Sequence, residues 1–209
     1  MALTFDSNRE HRLLVLPALF DEANKMRRQT VEVMLRLELS GVDTFLPDFT
    51  GCNESLQPMA EQTLANWRAG AEAAAVHFNA THVFSIRAGC LLAPPHQPGW
   101  RYAATTGAKA LRSLLRARTI AAREARKTEK TDDLVILARK DGIELAGWPI
   151  GAALFAELEQ AVANTDSQQA TIEQSDIGGA GLWLRAEAGE DPEQADMLAA
   201  IIAMGTLEP

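Results

Sequence analysis

Residues 81–89 read Thr-His-Val-Phe-Ser-Ile-Arg-Ala-Gly, a short apolar run that ends at a sharp turn. The run is shorter than a core helix and is rich in β-branched and aromatic residues, which favours a strand. It therefore predicts a β-strand over 82–86, buried on both faces, with a turn over 87–89 directly after it.

Two similar apolar runs precede this strand. They occupy 12–16, which is stopped by Pro17, and 42–46. A helical apolar pattern over 24–40, closed by Gly41, lies between them. A strand, a helix and a second strand in this order predict a parallel crossover and hence an α/β fold.

The rest of the chain continues this alternation. The predicted helices cover 63–78, 108–126, 132–140, 151–163 and 192–202, and the further predicted strands cover 100–103, 170–172 and 182–185. Residues 143–150 contain Gly147 and Pro149, so they are predicted to be a bent or edge segment. No internal repeat or linker divides the sequence. We predict one domain over residues 1–209, with three layers (α/β/α) and a mostly parallel sheet.

Charge and composition restrict the function. The 209 residues carry a formal net charge of −8 at pH 7 and include 47% hydrophobic residues, as expected of a globular chain. This acidic balance opposes a broad nucleic-acid surface, which would need clustered basic residues. Basic residues do concentrate between Arg112 and Lys130, interrupted by Glu124 and Glu129. Mixed charge at helical spacing favours a solvated helix face over an anion-binding surface.

Cysteine and histidine usage predicts neither a metal nor a cofactor. Cys52 and Cys90 are the only cysteines in the sequence, and the four histidines lack the spacing of a zinc motif such as HExxH. No stretch resembles a secretion signal, and no apolar run reaches the roughly 20 residues of a membrane helix. We therefore expect a cytoplasmic protein without a membrane span.

Several short stretches resemble one protein family. They are Leu13 to Pro17, Phe20-Asp21-Glu22-Ala23-Asn24-Lys25-Met26-Arg27-Arg28, the loop 45–55 with Asp48 to Ser55, Trp67, Ile86-Arg87-Ala88-Gly89 and Ala146-Gly147-Trp148. Their order resembles the N-terminal half of the α/β-hydrolases and, more closely, the exosortase A system-associated hydrolases of bacteria that make PEP-CTERM proteins. The resemblance is dense through residue 92 and thin afterwards. It implies a bacterial, truncated α/β-hydrolase-like domain linked to exosortase or envelope-polysaccharide pathways.

The sequence departs from that family at the catalytic positions. In α/β-hydrolases the nucleophile occupies the centre of a small-x-nucleophile-x-small turn, and here that pentad aligns as Ser85-Ile86-Arg87-Ala88-Gly89. A guanidinium stays protonated and cannot attack a carbonyl carbon. The last histidine is His96, so none follows the predicted strand at 182–185. Glu187 or Asp191 could fill the position of the triad acid, although an acidic helix start is the simpler interpretation.

Two functions follow from these residues. The leading hypothesis is an accessory protein without a working triad that binds a small anionic ligand or a protein partner. A homodimer is a further hypothesis for its oligomeric state. The alternative is an ester, thioester or amide hydrolase that uses Cys90 or Ser85 as nucleophile, with His82 or His96 as base. An imidazole within about 3.5 Å of Cys90 or Ser85 would favour the hydrolase over the accessory protein.

The candidate binding residues follow the carboxyl ends of parallel strands, where open α/β sheets bind ligands. They are Arg87, Lys25, Asn24, Asp21, Glu22, Asn53, Glu54 and Ser55. In one interpretation Arg87 and Lys25 donate to an anion. In the other, Arg87 forms an internal ion-pair network with the acids of the neighbouring loops, namely Asp21, Glu22, Asp48 and Glu54. Cys52 and Cys90 are expected to be small buried hydrophobic residues rather than reactive thiols.

Overall fold

The computed structural model describes residues 1–164 and 168–207. Its strands are β1 Ala2–Phe5, β2 Arg12–Leu16, β3 Asp43–Pro47, β4 His82–Ile86, β5 Gly99–Tyr102, β6 Ile143–Leu145, β7 Trp148–Ile150 and β8 Gln169–Ile172. Its helices are α1 Asp21–Leu39, α2 Leu64–His77, α3 Gly107–Glu124, α4 Thr131–Asp141, α5 Ala152–Gln160, α6 Gln174–Ile177 and α7 Pro192–Leu207. Short 3-10 helices cover Met59–Glu61, Arg87–Leu91 and Leu182–Leu184.

Six strands form the main sheet in the order β1-β3-β2-β4-β5-β8. Strands β2, β3, β4, β5 and β8 pair in parallel, and β1 is antiparallel to β3. The predicted mostly parallel sheet is therefore confirmed, and so are the three strands near 12–16, 42–46 and 82–86. Strand β1 was not predicted from the sequence, because four half-exposed residues at an edge carry little apolar pattern.

The prediction of a strand at 182–185 is wrong. This segment is the 3-10 helix Leu182–Leu184, and the strand at the sheet edge is β8, Gln169–Ile172. The Trp183 ring folds back over Gly181, where a Cβ would lie 2.4 Å from an indole carbon. The segment therefore does not form a strand of the sheet. Leu182 is buried in the core, and the Trp183 ring packs against Tyr102 at the end of β5.

Helices cover both faces of the sheet. On one face α1 and α7 pack over Leu13, Val15 and Phe84. On the other, α2, α3, α4 and α5 pack over Leu14 and Leu16. Alternate residues of β2 thus enter opposite cores, which is why a continuous apolar run was the correct signal for a strand buried on both faces.

Most predicted helices agree with the structure to within a few residues, apart from the last helix, which extends beyond 202 to Leu207. Residues 143–150 form the antiparallel hairpin of β6 and β7, in place of a single bent segment. The polar sequence over 164–169 predicts a connection between the helix at 151–163 and the strand at 170–172. Residues 165–167 of this connection lie outside the described residues. No described helix is both long and apolar enough to cross a membrane.

Candidate functional site

Arg87 lies at the turn that directly follows β4. Its φ of +54° is in the left-handed region, which a residue with a side chain enters at a cost. The turn packs tightly against the end of β2, since a Cβ at Gly89 would lie 2.1 Å from the carbonyl oxygen of Pro17. The strained residue, the close approach and the position after a central strand match the nucleophile turn expected over Ser85 to Gly89, with an arginine at its centre.

The Arg87 side chain is held by three groups. Its Nε–H and one Nη–H donate to the two carboxylate oxygens of Glu22, at 3.0 and 3.1 Å. Its other Nη donates to the carbonyl oxygen of Ala103 at 2.8 Å. The guanidinium carbon lies 4.1 Å from the centroid of the Trp183 ring. A bidentate carboxylate and an aromatic face are strong partners for arginine, so the positive charge of Arg87 is compensated within the fold.

A small cleft adjoins this ion pair. It has a volume of about 40 Å³, and its lining includes Glu22, Asp21, Lys25, Ser113 and Trp183. The Lys25 ammonium lies 2.9 Å from the Asp21 carboxylate, one helical turn earlier on α1. Both candidate cations are therefore paired with acids of the same loop and helix start. The observed pairs support the ion-pair interpretation of these residues.

The second predicted loop lies apart from Arg87. Asn53 and Glu54 are exposed and line a shallow depression of about 380 Å³ together with Asp48 and Arg27. The Asn53 amide donates to Asp48 at 2.7 Å, and the Ser55 hydroxyl accepts from the Gly51 amide at 2.9 Å. Within the described residues neither Asp48 nor Glu54 pairs with Arg87. Of the predicted network, the Arg87–Glu22 pair alone forms among the described residues, since Asp21 pairs with Lys25 instead. Asn24 is exposed.

Ser85 and Cys90 are buried together beneath the turn. The Ser85 hydroxyl donates to the carbonyl oxygen of Trp100 at 3.2 Å and lies 3.4 Å from the Cys90 sulfur. Burial raises the pKa of the Cys90 thiol to about 11. Burial and, to a smaller extent, the negative charge of Asp48 also raise the pKa of the Cys52 thiol to about 11. Neither thiol has the depressed pKa that marks a reactive cysteine.

The two candidate bases lie away from these nucleophiles. His82 begins β4 at the amino end of the sheet, three residues from Ser85 and hence about 10 Å along the strand. The odd spacing places the two side chains on opposite faces, and His82 stacks on Trp100. Burial lowers the pKa of His82. His96 is exposed in the loop before β5. In the part of the chain that the structure describes, no imidazole contacts Ser85 or Cys90.

The acidic loop predicted as a possible triad acid has a structural role. Asp191 accepts from the backbone amide of Gln194 at 3.2 Å and so caps α7, and Glu190 pairs with Arg28. The triad acid was predicted in the loop after a strand at 182–185. The strand observed at this edge is β8, and the loop that follows it begins at Glu173. Glu173 forms a capping box with Asp176 at the start of α6.

Sequence reasoning missed two further features of the crevice. The first is strain: Phe20 has a φ of +58° and Ala103 a φ of +46°, so three left-handed residues meet here with Arg87. The second is an apolar cavity of about 30 Å³ beside the cleft, where Phe20 packs between Trp67 and Trp148. Trp148 comes from the β6–β7 hairpin and is half-buried, at the cavity lining. Only the fold brings these distant aromatic residues together.

The described residues 1–164 and 168–207 include no group of three or more His, Cys, Asp or Glu that could hold a metal ion. Comparison of the sequence with protein-family models and with curated proteins finds no match.

Two solved structures match nearly the whole chain. It is similar to the bottromycin epimerase BotH in complex with bottromycin A2, with a TM-score of 0.52 and 14% identity over 98% of this chain and 92% of that one. It is also similar to Est1E from Butyrivibrio proteoclasticus with bound ferulic acid, with a TM-score of 0.50 and 11% identity over 99% and 94%. The fold is that of the α/β-hydrolases.

A putative hydrolase from Agrobacterium vitis S4 gives a TM-score of 0.41 with 17% identity over 58% of this chain. The chain spans about half the length of that protein, 53%. The matches to BotH and Est1E, at 14% and 11% identity, show the fold alone. The same fold carries many reactions, so the function has to be argued from the site.

Proposed function

We propose that this α/β-hydrolase-like protein has no working triad and acts as an accessory protein that binds a small anionic ligand or a protein partner at the carboxyl ends of β2, β3 and β4. One observation carries the proposal: Arg87 occupies the strained turn after β4, where the resemblance implies the nucleophile, and Glu22 and Ala103 hold its guanidinium in place. An arginine there provides no attacking oxygen or sulfur.

The alternative nucleophiles are poorly placed for hydrolysis. Ser85 and Cys90 are buried, they contact each other and backbone carbonyls, and the raised thiol pKa of Cys90 disfavours the thiolate. General-base catalysis needs an imidazole within hydrogen-bond reach, and His82 is directed to the opposite face of the sheet.

The binding role rests on the loops around the cleft. Lys25, Asp21 and Glu22 present charge at the crevice, and Asn24 is exposed beside them. To bind Lys25, a small anion would have to displace the Asp21 carboxylate, and to bind Arg87 it would have to displace Glu22. A protein partner could contact the exposed loop without breaking either ion pair. Asn53, Glu54 and Ser55 extend this candidate surface along the next loop. The resemblance of residues 20–28, 48–55 and 86–89 to exosortase A system-associated hydrolases supports a role in an exosortase or envelope-polysaccharide pathway.

An ester assay tests the absence of triad hydrolysis. Purified protein is incubated with p-nitrophenyl acetate and p-nitrophenyl butyrate, and release of p-nitrophenol is compared with that of Ser85→Ala and Cys90→Ala variants. We expect the three proteins to give the same background rate. Turnover by the wild type that either substitution abolishes would establish the hydrolase alternative and overturn the proposal.

The pathway link is tested separately by deleting the gene in its source organism and following the processing of PEP-CTERM proteins. We expect a processing defect that the wild-type gene and Ser85→Ala both restore, because the proposed role needs no nucleophile. Normal processing in the deletion strain would remove the exosortase link and leave the assay of hydrolysis unaffected.

A further inference from the structure

The outer face of α3 carries an unusual concentration of positive charge. Residues 107–130 contain eight Lys and Arg residues and two Glu residues, in a chain whose net charge is −8. Lys109, Arg112, Arg116 and Arg123 are separated by three, four and seven residues, so they lie on one face of the helix. At 1.5 Å per residue this row extends about 21 Å.

The row is exposed and unpaired. All four side chains are exposed, and within residues 1–164 and 168–207 none of these side chains forms an ion pair or a hydrogen bond. Arg118 makes the contrast clear, because it turns inward on the same helix and pairs with Glu129 at 2.8 Å, while it also donates to the Glu144 carbonyl. The loop after α3 adds exposed cations at 126, 127 and 130.

An exposed aliphatic residue interrupts the row. Ile120 lies between Arg116 and Arg123, one turn from each, and is 45% exposed. Cations alone would serve any polyanion. An aliphatic side chain among them suits a lipid surface, where it can enter the interface while the arginines contact phosphate groups.

Other anionic partners fit the face less well. Single-stranded nucleic acid is usually held by aromatic stacking as well as charge, and this row contains no aromatic residue. A stable protein interface buries about 800 Å² on each partner around an apolar centre, whereas this row offers a single aliphatic side chain. A membrane surface requires neither shape complementarity nor a groove.

We propose that the outer face of α3 binds the surface of a membrane rich in anionic phospholipid, as a peripheral contact. The acidic remainder of the chain is repelled by such a surface. The opposed charges therefore orient the protein with α3 towards the lipid and favour a reversible association.

Vesicle co-sedimentation tests this surface with the full chain. The protein is spun with vesicles of phosphatidylcholine alone and with vesicles that also contain phosphatidylglycerol, for the wild type and for a triple variant, Arg112→Gln, Arg116→Gln and Arg123→Gln. At about 1 kcal/mol for each basic residue near an anionic surface, the triple variant should bind the anionic vesicles about 100-fold more weakly. A matched control, Arg28→Gln, Arg139→Gln and Arg185→Gln, removes the same charge from exposed arginines that are paired with acids. It should stay within about threefold of the wild type, because these charges are already compensated.

Ile120→Ala distinguishes a lipid surface from a soluble polyanion. We expect it to weaken vesicle binding and to leave binding to soluble polyphosphate unchanged, while thermal unfolding confirms that every variant is folded. Equal binding to both kinds of vesicle, equal losses in the two triple variants, or binding to polyphosphate without binding to anionic vesicles would each overturn the proposal.

Discussion

Two arginine–carboxylate clusters lie at opposite ends of the parallel sheet. At the amino end, the fully buried Asp43 carboxylate accepts from Arg9 and Arg12 and from the backbone amides of Ser7 and Arg9, at 2.8 to 3.2 Å. At the carboxyl end, Arg87 pairs with Glu22, and both side chains keep some exposure, at 15% and 23%. In both clusters the carboxylate accepts hydrogen bonds from arginine, and Glu22 of the second lines a cleft.

The backbone separates the two clusters further. Asp43 begins a regular strand, and the left-handed residue between its amide donors is Asn8, a residue type that enters this region readily. At the other end, Arg87 and its acceptor Ala103 both have left-handed φ values. Strain of this kind is retained where the fold enforces a particular geometry, and it concentrates at functional sites. We therefore interpret the Asp43 cluster as a feature that stabilises the fold. The Arg87–Glu22 pair lies at a strained turn, and we interpret this turn as part of the candidate site.

The largest effect is expected at Asp43. Replacing it with asparagine keeps the shape but leaves Arg9 and Arg12 without their buried counter-charge. Removing one partner of a buried ion pair costs about 3–5 kcal/mol, and because both arginines keep some exposure we expect about 3 kcal/mol. Urea denaturation measures this loss. Glu38→Gln removes the half-exposed acid that also pairs with Arg9 and should cost less than about 1 kcal/mol. Equal losses in the two variants would contradict the role given to Asp43.

A smaller loss is expected for Arg87→Ala. The substitution removes a bidentate ion pair, one hydrogen bond to a carbonyl and the contact with Trp183, for which we expect about 2 kcal/mol. Alanine has to adopt the same left-handed conformation, so the difference reports the contacts and not the strain.

Arg139→Ala is the matched control for this measurement. Arg139 makes an equally bidentate pair with Glu159, at 2.8 Å for both bonds, but is 59% exposed. Solvent screening should reduce its loss to below about 1 kcal/mol. If Arg87→Ala lowers the free energy of unfolding by less than about 0.5 kcal/mol, the pair does not stabilise the fold, and Arg87 is then held for a ligand.

The sequence predicts five strands of the main sheet, β2, β3, β4, β5 and β8, and misses the antiparallel edge strand β1. Strands β2, β3 and β4 are buried on both faces, so apolar runs between loops identify them. Strand β1 is a four-residue edge strand with an exposed position and carries little signal, whereas β8 at the opposite edge matches the strand predicted over 170–172. The run at 182–184 is apolar although it is not a strand. Its tryptophan, Trp183, packs over the Arg87 guanidinium.

The same distinction applies to the site. Arg87 was identifiable because the residues around a strand-to-turn junction are contiguous in the chain. Its contacts with Glu22, Ala103 and Trp183 join residues between 16 and 96 positions away. Sequence reasoning supplied four candidate acids for Arg87, namely Asp21, Glu22, Asp48 and Glu54, and only the packing of α1 against the turn selects Glu22.

The smallest expected effect concerns the outer rim of the amino-end cluster, at Asp6. Hydrogen bonds from Arg12 and from the Asn8 amide lower the pKa of Asp6 to about 2 from its usual 3.8. A carboxyl whose pKa is depressed by folding contributes stability above its unfolded pKa and loses it as the pH falls through the folded value. The stability difference between the wild type and Asp6→Asn should therefore be constant above about pH 5 and should shrink between about pH 4 and pH 2. Urea denaturation of both proteins across this range measures the difference, and subtraction removes the titration of the other acids. A difference that does not change with pH would mean that Asp6 is not held by Arg12 in solution, and that the amino-end cluster depends on Asp43 alone.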